Sequence, residues 1–569
     1  MKPLLFLLAL AASAQSAPEP FQLTELLGRP TATSVTVHLV PARDLDLFVE
    51  YGGAPGAYGL ATSPVRALAL QPVEVKLEEL TPDARYFYRV RYRYEPDAEF
   101  DARPERTFHT QRPPGSTFTF TIQADPHLDD NTDPEVYKLT LANQAAANAD
   151  FMIDLGDTMM SDKLGRNPSD QQLLDRHLLL RSYYALANHS LPLFLVLGNH
   201  EGEWLSFADG TESSLPVRAS RLRQLYFPNP LPDGFYSGNA REEPLVGLRQ
   251  NYYSWTWGDA LFVVIDPYWN LPQPPDQRGD WSLTLGREQY DWLKHTLEAS
   301  SARFKFVFGH NLVGGLDREG KMRGGVEAAK YLEWGGHNLD DTWGFSDARP
   351  GWDMPIHDLL VRNRVTAFFH GHDHIYAHQT LDGVVYQEVP QPGARNSALG
   401  NRAATYGYLE GEILGGTGYL RVTVTPDEVK SDYVMTWLPA QESGQRHNGE
   451  VAHSFTLAAP PVAEDAPARY PIVGTAQDEC YGNLRPIVCP GPGEPFHGQD
   501  SQNPGAPPRY TDNEDGTITD LNTGLMWQRT PGLANKSTYA EASAAAAGFS
   551  LAGFTDWRLP TVKELYSLI

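Results

Sequence analysis

Cysteine is scarce in this sequence: two in 569 residues, Cys480 and Cys489, in a Gly/Pro-rich stretch. In an oxidising compartment the pair reads as one local disulfide, with two unpaired thiols as the alternative. Basic residues are short as well, 46 Lys and Arg against 71 Asp and Glu, for a net charge of -25. An acidic envelope repels polyanions over long range, which argues against nucleic acid as a bulk partner and disfavours large polyanionic substrates. Internal repeats are lacking. So are long apolar runs: beyond the first residues none approaches the ~20 apolar residues of a membrane helix, and no membrane span is expected. The one short run, residues 4–12, follows Lys2 and ends in Ala12-Ser13-Ala14. That pattern is an export signal, residues 1–14, with cleavage expected after Ala14 and a mature chain in the periplasm or outside the cell.

What remains is a globular composition. The chain is 41% hydrophobic with 27 Tyr and 12 Trp, too apolar for disorder and too long for one core, so two to four domains are expected. Residues 20–112 alternate apolar and polar without helical periodicity, as in 34–40, 73–77 and 85–92, which suggests a small β-sandwich. Arg112-Pro113-Pro114-Gly115 is the expected hinge. From Thr117, strands alternate with helical stretches, 135–149 and 170–189 among them. This is the signature of a layered α/β sheet with its site at the carboxyl ends of the strands, here residues 117–457. Residues 458–470, rich in Ala and Pro, read as a linker, and 471–569 as a separate module.

Five apolar runs stop at polar residues that packing does not call for. They end in Asp125-Pro126-His127, Gly156-Asp157, Gly198-Asn199-His200-Glu201, Gly309-His310 and His370-Gly371-His372-Asp373-His374. Taken singly, Asp-x-His and Gly-Asp are common turns, and a lone Gly-His carries almost no information. Asn199 beside His200 and Glu201 needs a reason. In an extended segment His372 and His374 would face one site while Asp373 points elsewhere. Together, in this order and each at a strand end, the five read as one metal site on one edge of the sheet.

This ordered set resembles that of the calcineurin-like metallophosphoesterase superfamily over about residues 117–457, with softer matches at 251–266 and Gln289-Tyr290-Asp291-Trp292-Leu293. The resemblance implies two metal ions side by side. Asp125, His127 and His374 would hold the first, Asn199, His310 and His372 the second, Asp157 would bridge them, and His200, the catalytic residue, would face the leaving-group oxygen. Leu80-Thr81-Pro82 followed by Tyr86 resembles the Leu-x-Pro-x-x-x-Tyr turn of fibronectin type III-like domains, which precede the catalytic domain in many purple acid phosphatase-like proteins. Those phosphatases carry a tyrosine three residues after the bridging aspartate, where this chain has Met160, and lack the histidine found here at His127. A colourless enzyme is therefore expected, with divalent ions or an uncoloured iron-containing pair. Fe, Mn and Zn, divalent or trivalent, all suit the mixed donors.

The chemistry stands without the family. Phosphate ester hydrolysis needs a nucleophile formed at neutral pH, charge cancellation on the phosphoryl oxygens and help for the departing alkoxide. Two cations ~3.5–4 Å apart lower the pKa of a bridging water and clamp the phosphoryl group for in-line attack. Asp157 can bridge both ions, Asn199 adds an oxygen without adding charge, and a protonated His200 can donate to the leaving oxygen. Asp154 and Asp373 are candidates to accept a ligand's other ring proton, with solvent exposure or turn capping as the alternative.

Long segments between motifs, 201–250 and 311–354, are expected to line the substrate's approach. They hold Arg218, Arg221, Arg223, Arg318, Lys321 and Arg323, although each cation taken alone reads better as a surface charge. Downstream, the stretches around Asn513-Glu514-Asp515-Gly516, Thr523-Gly524-Leu525-Met526-Trp527 and Asp556-Trp557-Arg558-Leu559-Pro560 resemble the Lcl-type carboxy-terminal module of bacterial surface proteins. That resemblance implies a surface or glycan partner, with a structural appendage as the alternative, and a unit incomplete or shortened at Ile569. The Asn513 loop reads as a hairpin turn before a calcium site.

The expected fold class is thus multidomain: a β-sandwich, an α/β metallophosphoesterase domain of layered sheets flanked by helices, and a small α+β module. The expected function is an exported binuclear-metal hydrolase of small phosphate monoesters. A phosphodiesterase or nucleotidase with the same site is the alternative. A surface binding or adhesion protein with a structural metal site is the alternative of another class.

Overall fold

The computed structural model describes residues 23–460 and 479–565, apart from 228, 271–280, 313–322, 396–401, 484, 492–493, 503–507, 531–537 and 556. The expected export signal, residues 1–14, residues 461–470 of the expected linker, Arg318 and Lys321 lie outside the described residues. The chain falls into two compact units, Met1–Pro460 and Pro461–Ile569.

The first unit begins with two antiparallel sheets. Leu23–Gly28, Val35–Pro41 and Val73–Leu77 form one, and Leu45–Gly52 pairs with Arg85–Arg93 at the centre of the other. Leu45, Leu47, Val49, Tyr88 and Val90 pack against Val35, Val37 and Leu39, so every second residue is apolar because only one face of each strand meets the other sheet. The Tyr86 hydroxyl accepts the Thr81 N–H at 2.9 Å, the tyrosine corner of such sandwiches. The first sheet also buries its other face: Leu26 and Val40 share a cluster with Tyr137, Met152, Leu193 and Tyr226 of the following half. The Leu27 N–H donates to the Asn188 carbonyl at 2.8 Å. Across the same junction the buried Arg181 guanidinium bonds Thr24 Oγ1 at 2.8 Å and the His38 carbonyl at 2.6 Å.

Two larger sheets follow, face to face. In one, Phe118–Gln123, Phe151–Asp154 and Leu193–Leu195 run parallel, and Gly418–Val424, Glu428–Met435 and Val451–Ala458 extend it antiparallel. In the other, Ala260–Val264, Phe304–Phe308, Ala367–His370 and Val384–Glu388 run parallel through the middle. Their inner faces share a core of Phe120, Phe151, Trp255, Phe262, Phe306, Phe308 and Phe369. Helices Pro134–Ala146 and Asp170–Tyr184 cover the outer face of the first sheet, and Arg287–Ala299 and Ile356–Arg362 that of the second. Strands buried on both faces need apolar residues at consecutive positions, hence their unbroken runs. The first two helices start at caps, Asp133 and the Ser169/Gln172 capping box. Both end earlier than their composition suggests.

The second unit holds a three-stranded antiparallel sheet, Tyr510–Asp512, Thr517–Asp520 and Met526–Gln528, and a helix, Tyr539–Ala547. Asn513 to Gly516 is the turn joining the first two strands, where the Asp512 and Asp515 carboxylates accept the N–H groups of Glu514 and Thr517. Cys480 and Cys489 are disulfide-bonded. No helix among the described residues is long and apolar enough to cross a membrane.

Candidate metal centre

Main-chain bonds stitch the strand-end loops together. The Asp125 N–H donates to the Gly156 carbonyl at 3.0 Å, the His127 N–H to the Asp157 carbonyl at 3.3 Å and the Gly371 N–H to the His310 carbonyl at 2.8 Å. Two loops cross at Gly156 and Gly198: a Cβ on Gly198 would stand 2.2 Å from Asp157 N, and Gly156 has φ +100°. Only glycine fits this crossing. Asp125, His127, Asp157, His372 and His374 all have left-handed backbones, with φ of 57°, 50°, 55°, 81° and 59°. Such residues cost ~1–3 kcal/mol each and cluster where geometry serves a ligand. The segment His372-Asp373-His374 is therefore not extended. Its two rings reach the site through left-handed turns, a different route from strand alternation.

Asp125, His127 and His374 each bring one ligand atom within 4.8 Å of the others, and Asp157, His310 and His372 form a second such group. Asp125 Oδ1 lies 3.6 Å from His127 Nε2 and 3.4 Å from His374 Nε2. Asp157 Oδ2 lies 3.6 Å from His127 Nε2 and 3.3 Å from His310 Nε2, so it faces both groups. Asn199 Oδ1 is 3.0 Å and His372 Nδ1 3.2 Å from His310 Nε2.

The donor chemistry fits cations. His310 Nδ1 lies 2.8 Å from the Leu155 carbonyl, which can only accept, so that nitrogen carries the ring proton. Nε2, which faces the oxygens of Asn199 and Asp157, then carries the lone pair that a metal ion would take or, with no ion bound, a second proton. His127 repeats the pattern, its Nδ1 3.2 Å from Asp129 Oδ2 and its Nε2 buried with no hydrogen-bond partner, as is Asp125 Oδ1. Lone pairs converging in a buried space require protons or metal ions between them.

Electrostatics follows the same geometry. Burial, the largest single influence, would raise both carboxyls, yet the surrounding imidazoles, His374 and His310 foremost for Asp125 and His310 and His200 for Asp157, hold them well below the usual carboxylate range. Burial would likewise lower His310, but Asp157 and Asp125 lift it to about 10. His200 lies at the edge. Its N–H donates to Asp157 Oδ1 at 2.8 Å, its Nδ1 stands 2.9 Å from Asp162 Oδ2, and its Nε2 faces Asp157 Oδ2 at 3.9 Å. Against the lowering effect of burial, Asp157 and Asp162 raise it above the usual imidazole range.

Two roles read from the sequence change. Asp154 touches no ligand imidazole: it accepts from the Gly156 N–H, Thr158 Oγ1, Gln123 Nε2 and the Tyr184 hydroxyl, and so shapes the loop that presents Asp157. The Nδ1 proton of His310 goes to the Leu155 carbonyl. Asp373 accepts from the Gly324 N–H at 3.0 Å and the Tyr408 hydroxyl at 2.9 Å, and thereby anchors the loop from 324. Glu201, without a role in the sequence, is buried and accepts the Gly198, Thr158 and Met159 N–H groups, clamping the two crossed loops. Burial, then the Asp157 charge, pushes its carboxyl up to about 8. Asp162 and Asp129 carry no motif at all. Only the fold shows them.

Of the four expected approach cations among the described residues, three are engaged elsewhere. Arg223 is buried on Glu203, Arg218 pairs with Asp170 at 2.8 Å and Arg221 with Glu212 at 3.4 Å. Arg323 stands nearer the site, its Nε 3.7 Å from Asp373 Oδ1.

Residues 118–376 match the calcineurin-like phosphoesterase family, and 516–569 match the Lcl C-terminal domain. This region is a calcineurin-like phosphoesterase domain. It is the domain of metal-dependent phosphoric ester hydrolases. Among solved structures, PhoD is similar at 16% identity with a TM-score of 0.54, over 79% of this chain and 92% of PhoD. The purple acid phosphatase PPD1 from yellow lupin seeds is similar at 15% identity with a TM-score of 0.50, over 76% of this chain and 74% of its own. At such identities the likeness is one of fold. No curated protein sequence matches the chain.

Proposed function

We propose that the phosphoesterase domain is an exported hydrolase of small phosphate monoesters working with two metal ions. The reading rests on one observation, two donor groups that converge with Asp157 between them. Asp125, His127 and His374 would hold one ion and Asn199, His310 and His372 the other. Bound there, the pair would supply Lewis acidity toward the phosphoryl oxygens and a water acidic enough to attack at neutral pH. The chain does the rest. The Leu155 carbonyl keeps the His310 proton on Nδ1 and its lone pair inward. Asp162 holds His200 Nδ1 and, after Asp157, raises the ring's basicity, which favours a proton on Nε2 to offer the departing oxygen. A structural ion needs no such donor, which favours catalysis over a binding role.

Export is proposed on the sequence of residues 1–14 and agrees with the Cys480–Cys489 disulfide. A surface or glycan partner for the Pro461–Ile569 unit is proposed on its likeness to the Lcl domain. A glycan array on which the full chain binds nothing would reduce that unit to an appendage.

The deciding experiment compares p-nitrophenyl phosphate with bis-p-nitrophenyl phosphate on protein loaded with Mn, Fe or Zn. Faster monoester turnover is expected, and His200→Ala should slow it about 10²-fold or more with metal content unchanged. Faster diester turnover would make the enzyme a phosphodiesterase. Cleavage of neither ester would end the enzymatic reading.

A further inference from the structure

One more cation stands near the metal centre: Arg323, whose charge reaches the candidate ligand His372. The centre is open where His200 and His374 keep 18% and 21% of their side chains exposed, whereas Asp125 and His310 keep none. Asp373 sits between His372 and His374 in sequence and faces the other way, toward the Gly324 N–H and Tyr408. The same carboxylate holds Arg323 Nε at 3.7 Å, and Arg323 Cζ lies 4.1 Å from the centroid of the Tyr406 ring. Pairing at Nε and stacking on a ring restrain the guanidinium plane. Its two terminal amino groups have no hydrogen bond or ion pair among the described residues, and 27% of the side chain is exposed. A buried structural arginine of this protein looks different: Arg223 is bonded to Glu203 and to the carbonyls of Arg249 and Gln250.

An arginine held by its inner end with its fork free is built for a tetrahedral oxyanion, which takes two parallel N–H bonds. The substrate's charge then decides what the contact does. A phosphate monoester carries close to two negative charges at neutral pH, its second pKa being near 6, and a diester carries one. Two metal ions bind the phosphoryl oxygens of both. A further fixed cation favours the dianion, with an unesterified oxygen for the fork to grip.

We propose that Arg323 is a specificity-determining residue that pairs with the phosphoryl oxygen free in a monoester and esterified in a diester, with Tyr406 and Asp373 as its positioning residues. The inference rests on the phosphoesterase reading of the site.

Its test uses the metal-loaded full chain and three forms, wild type, Arg323→Met and Arg323→Lys. Arg323→Met keeps the length and the stacking surface. It should lower monoester kcat/KM about 10- to 100-fold, the range of one charge-assisted hydrogen bond, chiefly through KM, and at least tenfold more than diester kcat/KM. The inhibition constant of inorganic phosphate should rise in parallel, Arg323→Lys should recover part of both, and metal content should stay at the wild-type value. Equal losses on the two esters would overturn the proposal and make Arg323 a holder of its loop. Unchanged phosphate affinity, read by calorimetry without any substrate, would overturn it too. If the wild type cleaves neither ester, the phosphoesterase reading fails on that result, and the calorimetric arm still decides whether Arg323 binds the anion.

Discussion

Asp162 Oδ2 and His200 Nδ1 stand 2.9 Å apart although they leave different strand ends. The contact decides which ring nitrogen of His200 faces inward. Asp162→Asn keeps an acceptor in place and removes its charge. We expect kcat to fall about 10²-fold at unchanged metal content. The alkaline limb of kcat against pH should move to lower pH, because Asp162 is one of the two carboxylates that raise the ring. A limb that stays in place would show that the carboxylate does not act through His200.

The crossing of Gly156 and Gly198 gives a second prediction. A methyl group at Gly198 would lie 2.4 Å from Asp157 Oδ1 as well as against its main chain, so Gly198→Ala must displace the carboxylate that faces both donor groups. Metal affinity should fall at least tenfold in a metal titration. Gly53→Ala, where the new methyl meets nothing within 4 Å, is the control and should match the wild type. Equal affinities for the two variants would contradict the geometry.

Glu203 lies two residues beyond Glu201 and binds Arg223 at 3.1 Å and Arg249 at 3.0 Å, all three buried. Glu203→Leu leaves two guanidinium groups in the interior with only Asp266 and carbonyls for partners. The expected loss is about 3–5 kcal/mol, seen as a lower denaturant midpoint. A loss below about 1 kcal/mol would mean that water or Asp266 fully replaces the carboxylate.

His177 supplies a pH prediction away from the metal site. Burial lowers its pKa to about 4, against about 6.5 in the unfolded chain. Above pH 6.5 neither state is protonated and stability is complete. As pH falls from 6.5 toward 4 the unfolded chain takes up a proton that the folded chain refuses, and stability declines by roughly 3 kcal/mol through this one group. His177→Leu should flatten the unfolding midpoint over that window relative to the wild type. Parallel pH profiles would show that His177 opens to solvent.

The strand ends were readable because each couples a buried apolar run to a polar stop within a few residues, as in Phe308-Gly309-His310. What escaped depends on contacts between distant segments. Asp162 and His200 are 38 residues apart, and no local pattern marks the pair. For Asp154 the sequence leaves two roles open, proton acceptor and turn cap, and the structure shows the cap, its carboxylate accepting the Gly156 N–H; a main-chain carbonyl such as that of Leu155, present at every residue, leaves no trace in the letters. Arg223 looked like a loop cation because its partner Glu203 is 20 residues away. The sandwich was legible from alternation, while the apolar second face of its first sheet, Leu26 and Val40, meets residues more than 90 positions further along the chain, such as Tyr137 and Met152, and no local pattern marks that contact.

That second face has a practical corollary. A protein cut in the Arg112-Pro113-Pro114-Gly115 stretch, to isolate the hydrolase, would be born with a raw flank around Tyr137, Met152, Leu193 and Tyr226, and with the Arg181 guanidinium stripped of Thr24 and His38. Such a fragment would seek other chains to cover it. The sandwich is thus half of a shared foundation, and a donor enzyme could lend its hydrolase to another protein only together with the wall it leans on.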